Sequence, residues 1–382
     1  AFGNPYQYVF QQNDNLVLSS ESIYEIPETR GVQTERPYAF GRPSSAGGSN
    51  NYPCKNYGQS RFHPTYYYGD FDPNDMRRDV TCTVTGTDGK NGVEKLLPFV
   101  PGAQANGGGI ANNKWDENRQ PEPRWEKQRQ SGINNPFVRM SDVILMLAEV
   151  KAELGDEVTA KQYLSEVHNR AFATPELANL DGFISKWGGI KEAIQQERKL
   201  EFGGEGLRRY DLIRTGKLPE AIKKLKADLA AMVNGLKTKG YYTFENGNTI
   251  SLYVWTKSVD AKAQYGYRLT TQCTDETDPV MYPGWRGVFD DWEGYTGNSI
   301  YSANPGTNLA IQGLFKHIEP GSAEAKALEA DGYILDYESD YSDYVFRGFV
   351  DGEAPIYFVP FHSSILETSL GKITNGYGFK NN

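Results

Sequence analysis

The chain has 382 residues, a length that can bury a substantial core in one large domain or in two to three smaller ones. Only 38% of the residues are hydrophobic and the mean hydropathy is −0.62, yet the chain contains 25 Tyr, 18 Phe and 6 Trp. Many rings in a polar sequence favour a hydrated binding surface. The net charge of −9 argues against a nucleic-acid partner, which requires clustered Lys and Arg. No apolar run approaches the roughly 18 residues that a membrane-spanning helix needs.

Residues 1–133 form the first predicted region, which is rich in Gly, Pro, Asn and Tyr. This composition predicts loops with a few short strands, for example at 16–18 and 80–84. Three consecutive tyrosines, Tyr66, Tyr67 and Tyr68, would point alternately to the two sides of an extended segment. We therefore expect at least one of these rings to face solvent, although any single ring is more often part of a core. Other rings of this region are Tyr38, Phe40, Tyr52, Tyr57, Trp115 and Trp125.

Residues 134–239 form a helical region. Apolar residues at three- and four-residue steps predict a helix capped by Ser141 and ended by Gly155, with its apolar stripe at Val143, Met146, Leu147, Val150 and Leu154. A second helix, from about Val158 to Ala171, would place Tyr163, Leu164 and Val167 on one stripe. The two predict an antiparallel hairpin that is similar to a tetratricopeptide unit. No second copy recurs at a fixed period, so the sequence alone does not establish a solenoid. Further helices are predicted at about 188–202 and 218–236.

Residues 240–351 lose this periodicity and gain rings, including Trp285 and Trp292. A long segment without clear helices is usually functional or disordered, and its aromatic content argues against disorder. A lid, a partner contact or an enlarged binding surface would each fit. Residues 352–382 form the last predicted region.

The segment from Glu197 to Gly216 is a dense run of alternating charge. Glu197, Glu201 and Glu205 recur at four-residue steps, which would place three carboxylates on one helix face, as paired acid–base catalysis requires. Nearby arginines, among them Arg209, would neutralise these carboxylates and lower their pKa values, which does not suit a general acid. The run therefore predicts a structural ion-pair network of Glu197, Arg198, Glu201, Glu205, Arg208, Asp211 and Arg214. Glu201→Ala or Arg208→Ala should then cost roughly 3 kcal/mol of stability.

The charged run resembles the hallmark of SusD/RagB-type proteins, with Gly206, Leu212 and Gly216 also in register. The stretch from Arg139 to Glu149, continued through Leu154 and Gly155 to 167–171, is similar to the helix pair of that family. Near the end of the chain, 356–361 and 374–377 resemble its closing segment. The sequence departs from the family pattern at Asp142, Phe361 and Thr374.

This resemblance implies a mainly α fold of tetratricopeptide-like hairpins packed with a loop-rich region that contains short strands. The family's N-terminal repeats are apparently absent, which suggests the C-terminal part of a longer protein. It further implies a lipid-anchored protein on the cell surface, at the outer membrane of bacteria of the Bacteroidetes type. Such a protein covers a SusC-like TonB-dependent transporter and delivers an oligosaccharide, or in some members a peptide. No cofactor and no catalysis are implied.

Other chemical signals are weak. The four histidines, His63, His168, His317 and His362, have no metal-ligand spacing. Carboxylates at 336–343 could suit calcium, but a solvated acidic loop is the favoured interpretation because the EF-hand glycine and terminal glutamate are missing. Residues 72–79 predict a turn with an ion-paired cap, similar to a family "DxR" step. Either a Cys54–Cys82 disulfide or three unpaired thiols, with Cys273, fits the cysteine pattern.

Ligand binding is therefore assigned to exposed rings on irregular loops, because Tyr and Trp pack on the C–H faces of sugars at low entropic cost. The predicted ligand residues are Tyr38, Tyr52, Tyr57, Tyr66, Tyr67, Tyr68, Trp115, Trp285 and Trp292. Two alternatives remain open: a glycoside hydrolase with acids among Asp290, Asp291 and Glu293, and a helical scaffold that binds only protein.

Overall fold

The structure is a computed structural model of the 382-residue chain. It describes residues 6, 8–10, 16–32, 36–43, 61–83, 85–88, 93–96, 110–117, 129–239, 241–251, 253–257, 308–312, 321–330 and 361–374. Within these ranges, every helix is too short or too polar to cross a bilayer.

Helices account for most of the regular structure in these ranges, which confirms the prediction of a mainly α protein. They are α1 (Arg36–Phe40), α2 (Arg77–Thr81), α3 (Met140–Glu153), α4 (Glu157–His168), α5 (Pro175–Ala178), α6 (Leu180–Lys186), α7 (Ile190–Glu201), α8 (Arg208–Arg214), α9 (Leu218–Lys239), α10 (Ala323–Ala330) and α11 (Ser363–Thr368). A π-helical turn spans Thr65–Asp70 and a 3-10 turn spans Asn169–Ala171.

Helices α3 and α4 form the predicted hairpin. Gly155 ends the first helix with a φ of +78°, a backbone conformation that favours glycine, and the Asp156 side chain then accepts a hydrogen bond from the Thr159 N–H. The predicted cap is wrong, because α3 begins at Met140 and the Ser141 hydroxyl accepts a hydrogen bond from Arg139 instead.

The predicted apolar stripe of α3 is also wrong. The helix buries Leu145, Ala148 and Ala152 against α4, whereas most of the predicted stripe is exposed: Met146, Leu147, Val150 and Leu154. Small alanines occupy inner positions of α3, where they let α3 and α4 approach each other closely. On α4 the prediction holds better, since Leu164 and Val167 are fully buried.

Helix α7 connects two hydrophobic cores. Its first half packs Ile190, Ala193 and Ile194 against the α3–α4 hairpin. Leu200, near its end, lies in a second core with rings of the π-helical turn and residues of α9 such as Leu229 and Met232. The charged residues between these apolar positions are therefore carried into the middle of the molecule.

The strands are short and pair mostly in twos. They are β1 (Ser22–Ile26), β2 (Arg61–Phe62), β3 (Cys82–Thr83), β4 (Thr85–Asp88), β5 (Val93–Leu96), β6 (Ile110–Asn112), β7 (Asn135–Arg139), β8 (Tyr241–Thr243), β9 (Thr249–Ser251), β10 (Tyr253–Lys257) and β11 (Asn308–Gln312). Each pairing is antiparallel: β1 with β7, β6 with both β2 and β3, β4 with β5, β8 with β9, and β10 with β11. The strand expected at 16–18 is wrong. Of the strand expected at 80–84, Cys82 and Thr83 form β3, Val80 and Thr81 belong to α2, and residue 84 lies outside the described ranges.

Candidate functional site

The structure buries each predicted ligand ring that it describes. Tyr66, Tyr67 and Tyr68 are 8%, 2% and 3% exposed, so the expectation that one of them faces solvent is wrong. The segment is a π-helical turn rather than an extended strand, and it directs all three rings into the core with Phe71 and Leu200. Burial of this large apolar area outweighs the cost of enclosing the phenol groups.

Tyr38 and Trp115 are likewise enclosed, at 4% and 0% exposed, and their assignment to an exposed ligand platform needs the same correction. The Arg129 guanidinium lies 4.0 Å from the centre of the Tyr38 ring, and the Arg36 guanidinium lies 4.9 Å from the Trp115 ring. Internal cations thus occupy ring faces that a ligand would need.

Several predicted site residues fall outside the described ranges, so their assignments stay predictions. They are Tyr52, Tyr57, Trp285 and Trp292, together with the alternative acids Asp290, Asp291 and Glu293, the acidic run 336–343, Cys54 and Cys273. Cys82 lies buried in the core next to the tyrosines.

Other rings in the described part are exposed. Tyr24 on β1 and Phe137 on β7 are both 57% exposed and meet edge to face, with 6.2 Å between ring centres. Sequence reasoning missed this pair because only the antiparallel pairing of β1 with β7 brings the two residues together. Further exposed rings among the side chains that the structure describes are Tyr8, Phe40, Tyr210 and Phe361.

Glu197, the first acid of the charged run, is completely buried in α7. Its carboxylate pairs with the Arg77 guanidinium and lies 2.8 Å from Nδ1 of His168. Arg77 in turn donates hydrogen bonds to the Asp75 carboxylate, among them one from Nε at 3.0 Å and one from Nη2 at 2.7 Å. The Asp75-x-Arg77 step is therefore part of the network.

Glu201 and Glu205 share one cation, Arg139 at the end of β7. Its Nη1 lies 3.0 Å from Glu201, and it grips Glu205 through Nε at 2.9 Å and Nη2 at 2.8 Å. Arg170 adds a 2.8 Å bridge to Glu201, and the buried Lys114 ammonium lies 2.5 Å from Glu205. Bidentate pairing of this kind is the geometry that an enclosed carboxylate requires.

The electrostatics of these acids follow from their neighbours. Burial alone would raise the pKa of Glu201, but the charges of Arg170 and Arg139 outweigh it and hold the pKa well below its ordinary value. The pKa values of Glu197 and Glu205 are lowered in the same way, against burial. Burial lowers the pKa of Lys114 to about 8, so it remains an ammonium at neutral pH. Permanently ionised carboxylates of this kind cannot donate a proton as general acids.

The arginines within the charged run have a different role from the predicted one. Arg198 bridges Asp142 at 2.7 Å and Asp211 at 2.9 Å, and Arg214 bridges Asp211 at 2.8 Å and Glu149 at 2.5 Å. These pairs fasten α8 to α7 and α3. Among the described residues, Arg208 donates to the Gln195 carbonyl at 3.2 Å and to no carboxylate. The three glutamates are neutralised from β7, α2 and other distant segments, which local spacing could not reveal.

Glu117 is the one buried acid in these ranges whose pKa rises to a value near neutrality. Burial raises the pKa of its carboxyl to about 7, against hydrogen bonds from Arg129 and Ser131. A perturbed acid is a functional-site candidate when a substrate can reach it. Glu117 is fully enclosed and does not line the cavity between α6 and the 70–75 loop, so no route for a substrate is evident among the described residues. No group of three or more His, Cys, Asp and Glu in that part of the chain is arranged to hold a metal ion.

The SusD family model matches residues 50–258 of the chain, a little more than half of its length. The protein therefore belongs to the SusD family, which confirms the resemblance carried by the charged run. SusD-like protein P25 of Formosa agariphila is 44% identical to this chain over 93 residues. That alignment covers 24% of this chain and 17% of the relative.

Solved structures of SusD proteins also match the chain. A SusD homolog from Bacteroides thetaiotaomicron matches at 18% identity with a TM-score of 0.40, over 59% of this chain and 47% of the other. Surface glycan-binding protein A from the same organism, in complex with laminarihexaose, matches at 23% identity with a TM-score of 0.38, over 56% and 46%. The chain thus spans about half the length of these structures.

Proposed function

We propose that this protein captures oligosaccharides at the cell surface and delivers them to a SusC-like TonB-dependent transporter, without breaking a bond. The observation that carries the proposal is membership of the SusD family, established over residues 50–258. In this view the protein is held at the outer membrane by a lipid anchor, and its partner is the transporter.

The charged network supports binding rather than catalysis. Glu197, Glu201 and Glu205 are buried, ionised and occupied by internal cations, so they serve the scaffold. Recognition is then left to surface rings and polar side chains, whose apolar faces and hydrogen-bonding groups suit sugars. Exposed rings such as Tyr24 and Phe137 show that the described surface carries such groups.

Calorimetry with the purified chain tests capture. The first probe is laminarihexaose, the ligand in the complex of surface glycan-binding protein A. The panel continues with other neutral hexasaccharides and with an unlabelled peptide mixture. We expect saturable binding of at least one glycan. Binding of peptides alone would mean that the ligand is a peptide and not a glycan. Binding of neither would favour the scaffold that binds only protein.

A reducing-sugar assay on the same panel tests the absence of chemistry. We expect no new reducing ends after prolonged incubation with any bound glycan. Sustained release, lost on substitution of Asp290, Asp291 or Glu293, would instead establish the glycoside hydrolase.

Co-purification from membranes tests delivery. The native protein, extracted in mild detergent, should bring a large TonB-dependent transporter with it. Failure to recover a transporter under conditions that preserve glycan binding would leave capture intact and remove the delivery step.

A further inference from the structure

A cavity of about 170 Å³ lies between the loop that follows the π-helical turn and helix α6. Its lining includes the carboxylates of Asp70, at the end of the π-helical turn, and of Asp72 and Asp75 in the loop that follows. The lining also includes the rings of Phe172, Phe183 and Trp187, together with Asn179 and Lys186. The cavity therefore combines ring faces with hydrogen-bonding groups of both signs.

The charged network holds the aromatic rings of the lining in place. The Phe183 ring lies 4.3 Å from the His168 ring, centre to centre, and 6.5 Å from the Trp187 ring. His168 cannot turn away, because one ring nitrogen bonds to Glu197 at 2.8 Å and the other to the Ala178 carbonyl at 2.9 Å. Rings fixed in this way lose little further conformational entropy when a ligand binds.

Two polar groups of the lining, Asp72 and Lys186, have bonding capacity left. Asp75 is occupied by Arg77, and Asp70 by Lys199 at 2.5 Å. Asp72 is exposed, and its Oδ1 accepts from Asn74, whereas its Oδ2 has no hydrogen-bond partner within the described ranges. The Lys186 ammonium lies 5.6 Å from the Trp187 ring centre and meets no carboxylate in those ranges.

Size and charge select the ligand class. A cavity of about 150 Å³ admits benzene and drug-sized ligands need about 300 Å³ or more, so this cavity accepts one six-membered ring. Asp75 and Asp70 are already paired with Arg77 and Lys199, and the two groups left, Asp72 and Lys186, carry opposite charges, which favours a neutral ligand over an ion. A ring with apolar C–H faces and many hydroxyls can pack on the aromatic rings of the lining and form hydrogen bonds with its polar groups.

We propose that this cavity binds a single neutral pyranose, the terminal sugar of a captured glycan. Its C–H face packs on Phe183 and Trp187, while its hydroxyls donate to Asp72 and accept from Lys186 and Asn179. This assignment rests on the proposed glycan function and adds to it a defined subsite for one sugar.

Titration calorimetry on the full chain tests the assignment. The probes are laminarihexaose and the methyl pyranosides of glucose, galactose, mannose and xylose. The test variant is Asp72→Asn combined with Lys186→Gln, because both residues are exposed and the amide of Asn retains the turn acceptor. We expect at least tenfold weaker binding, since charge-assisted hydrogen bonds are lost. Trp187→Leu, checked for an unchanged melting temperature, should weaken binding similarly.

The matched control is Asp156→Asn combined with Lys151→Gln, an exposed ion pair of the same residue types at the turn between α3 and α4, where the amide of Asn likewise retains the acceptor for the Thr159 N–H. Its affinity should equal that of the native chain, and an equal loss in both double variants would overturn the assignment. Native glycan binding that survives Asp72→Asn with Lys186→Gln would overturn the subsite and leave the proposed function standing. A native chain that binds none of the probes would remove both.

Discussion

At the scale of single residues, the centre of the molecule is a cluster of buried acids, each neutralised by cations from elsewhere in the chain. Glu201 is the clearest case, because three arginines, Arg77, Arg139 and Arg170, lie within ion-pair distance of its carboxylate. Removing one member of a buried pair leaves the others without compensation, and that cost exceeds the value of the pair itself.

Glu201→Ala should therefore lower the free energy of unfolding by roughly 3 kcal/mol or more. Urea denaturation followed by circular dichroism measures this change. The control is Glu153→Ala, which breaks the exposed pair with Lys191 and should cost less than about 1 kcal/mol. Equal stability of Glu201→Ala and the native chain would contradict the central role of the network.

Arg208→Ala should cost less than its place in the hallmark suggests. Its guanidinium is partly exposed and donates to a backbone carbonyl, so a loss of about 1 kcal/mol is expected in the same denaturation experiment. A loss as large as that of Glu201→Ala would restore the sequence-based expectation.

Glu117 should make the stability of the protein depend on pH with a sign opposite to that of the network glutamates. Its folded-state pKa of about 7 lies above the ordinary 4.5, so between these values the folded state binds more protons than the unfolded state. Stability should therefore fall as pH rises from 4.5 to 7, by roughly 3 kcal/mol from this group. Glu117→Gln should remove that slope in denaturation curves measured from pH 5 to 8, and the exposed Glu166→Gln should not.

The acids of the network could be predicted at this scale and their partners could not. Four-residue spacing predicts Glu197, Glu201 and Glu205 on one helix face, which is local information and is correct for Glu197 and Glu201, whereas Glu205 follows the end of α7. Arg139 and Lys114 reach them only through tertiary contacts, and their positions in the sequence carry no such signal. The burial of Tyr66, Tyr67 and Tyr68 was not predicted, because their segment forms a π-helical turn and the sequence favoured an extended segment.

At the scale of elements, the α3–α4 hairpin shows what apolar spacing can and cannot determine. The existence of both helices and the turn at Gly155 follow from periodicity and a glycine stop. The inner face of α3 cannot be predicted from periodicity, because two apolar stripes run along the same helix. One stripe consists of leucine and alanine, and the other of larger side chains. Packing against α4 selects the stripe that contains Ala148 and Ala152.

Leu164→Ala should consequently cost about 2–5 kcal/mol, since the side chain is completely buried between the helices and its loss leaves a cavity. Leu154→Ala, at a position 75% exposed, should change stability by less than about 0.5 kcal/mol. Thermal and chemical denaturation of both variants would decide between the two faces. A larger loss for Leu154→Ala would mean that the outer stripe is covered in solution.

At the scale of the whole molecule, stability should depend on acid in a defined window. The folded-state pKa values of Glu197, Glu201 and Glu205 lie below the ordinary 4.5, so the unfolded state takes up protons first as pH falls. Their contribution is complete above pH 4.5 and is lost progressively below it. Asp75, whose pKa burial raises, opposes this trend with a single carboxyl.

Denaturation curves from pH 6 to pH 2.5, measured in the Glu117→Gln background, would isolate this window. We expect a decline that begins near pH 4.5 and is reduced but not abolished in Glu201→Ala, which has lost one of the three acids and keeps Glu197 and Glu205. A flat profile would mean that these carboxylates are protonated alike in the folded and unfolded states.

The family and the fold class could be predicted for the molecule as a whole, because the charged run is specific and the helices are periodic. The four-part division of the chain at 133, 239 and 351 stays a prediction, as does the role of the ring-rich segment 240–351. The proposed sugar subsite combines side chains of the 70–75 segment with those at 172–187, which neither periodicity nor spacing can bring together.

One consequence of the shared arginine concerns how such proteins change over generations. Arg77, Lys114 and Arg139 each fasten one stretch of chain to the acids at the end of α7. The chain between those three anchor points is tied at both ends to the same acids, so its exposed parts can change without breaking these ion pairs, provided that each anchor survives. A common framework could in this way present very different recognition surfaces, while a charge reversal at any anchor would demand simultaneous compensation by its partners.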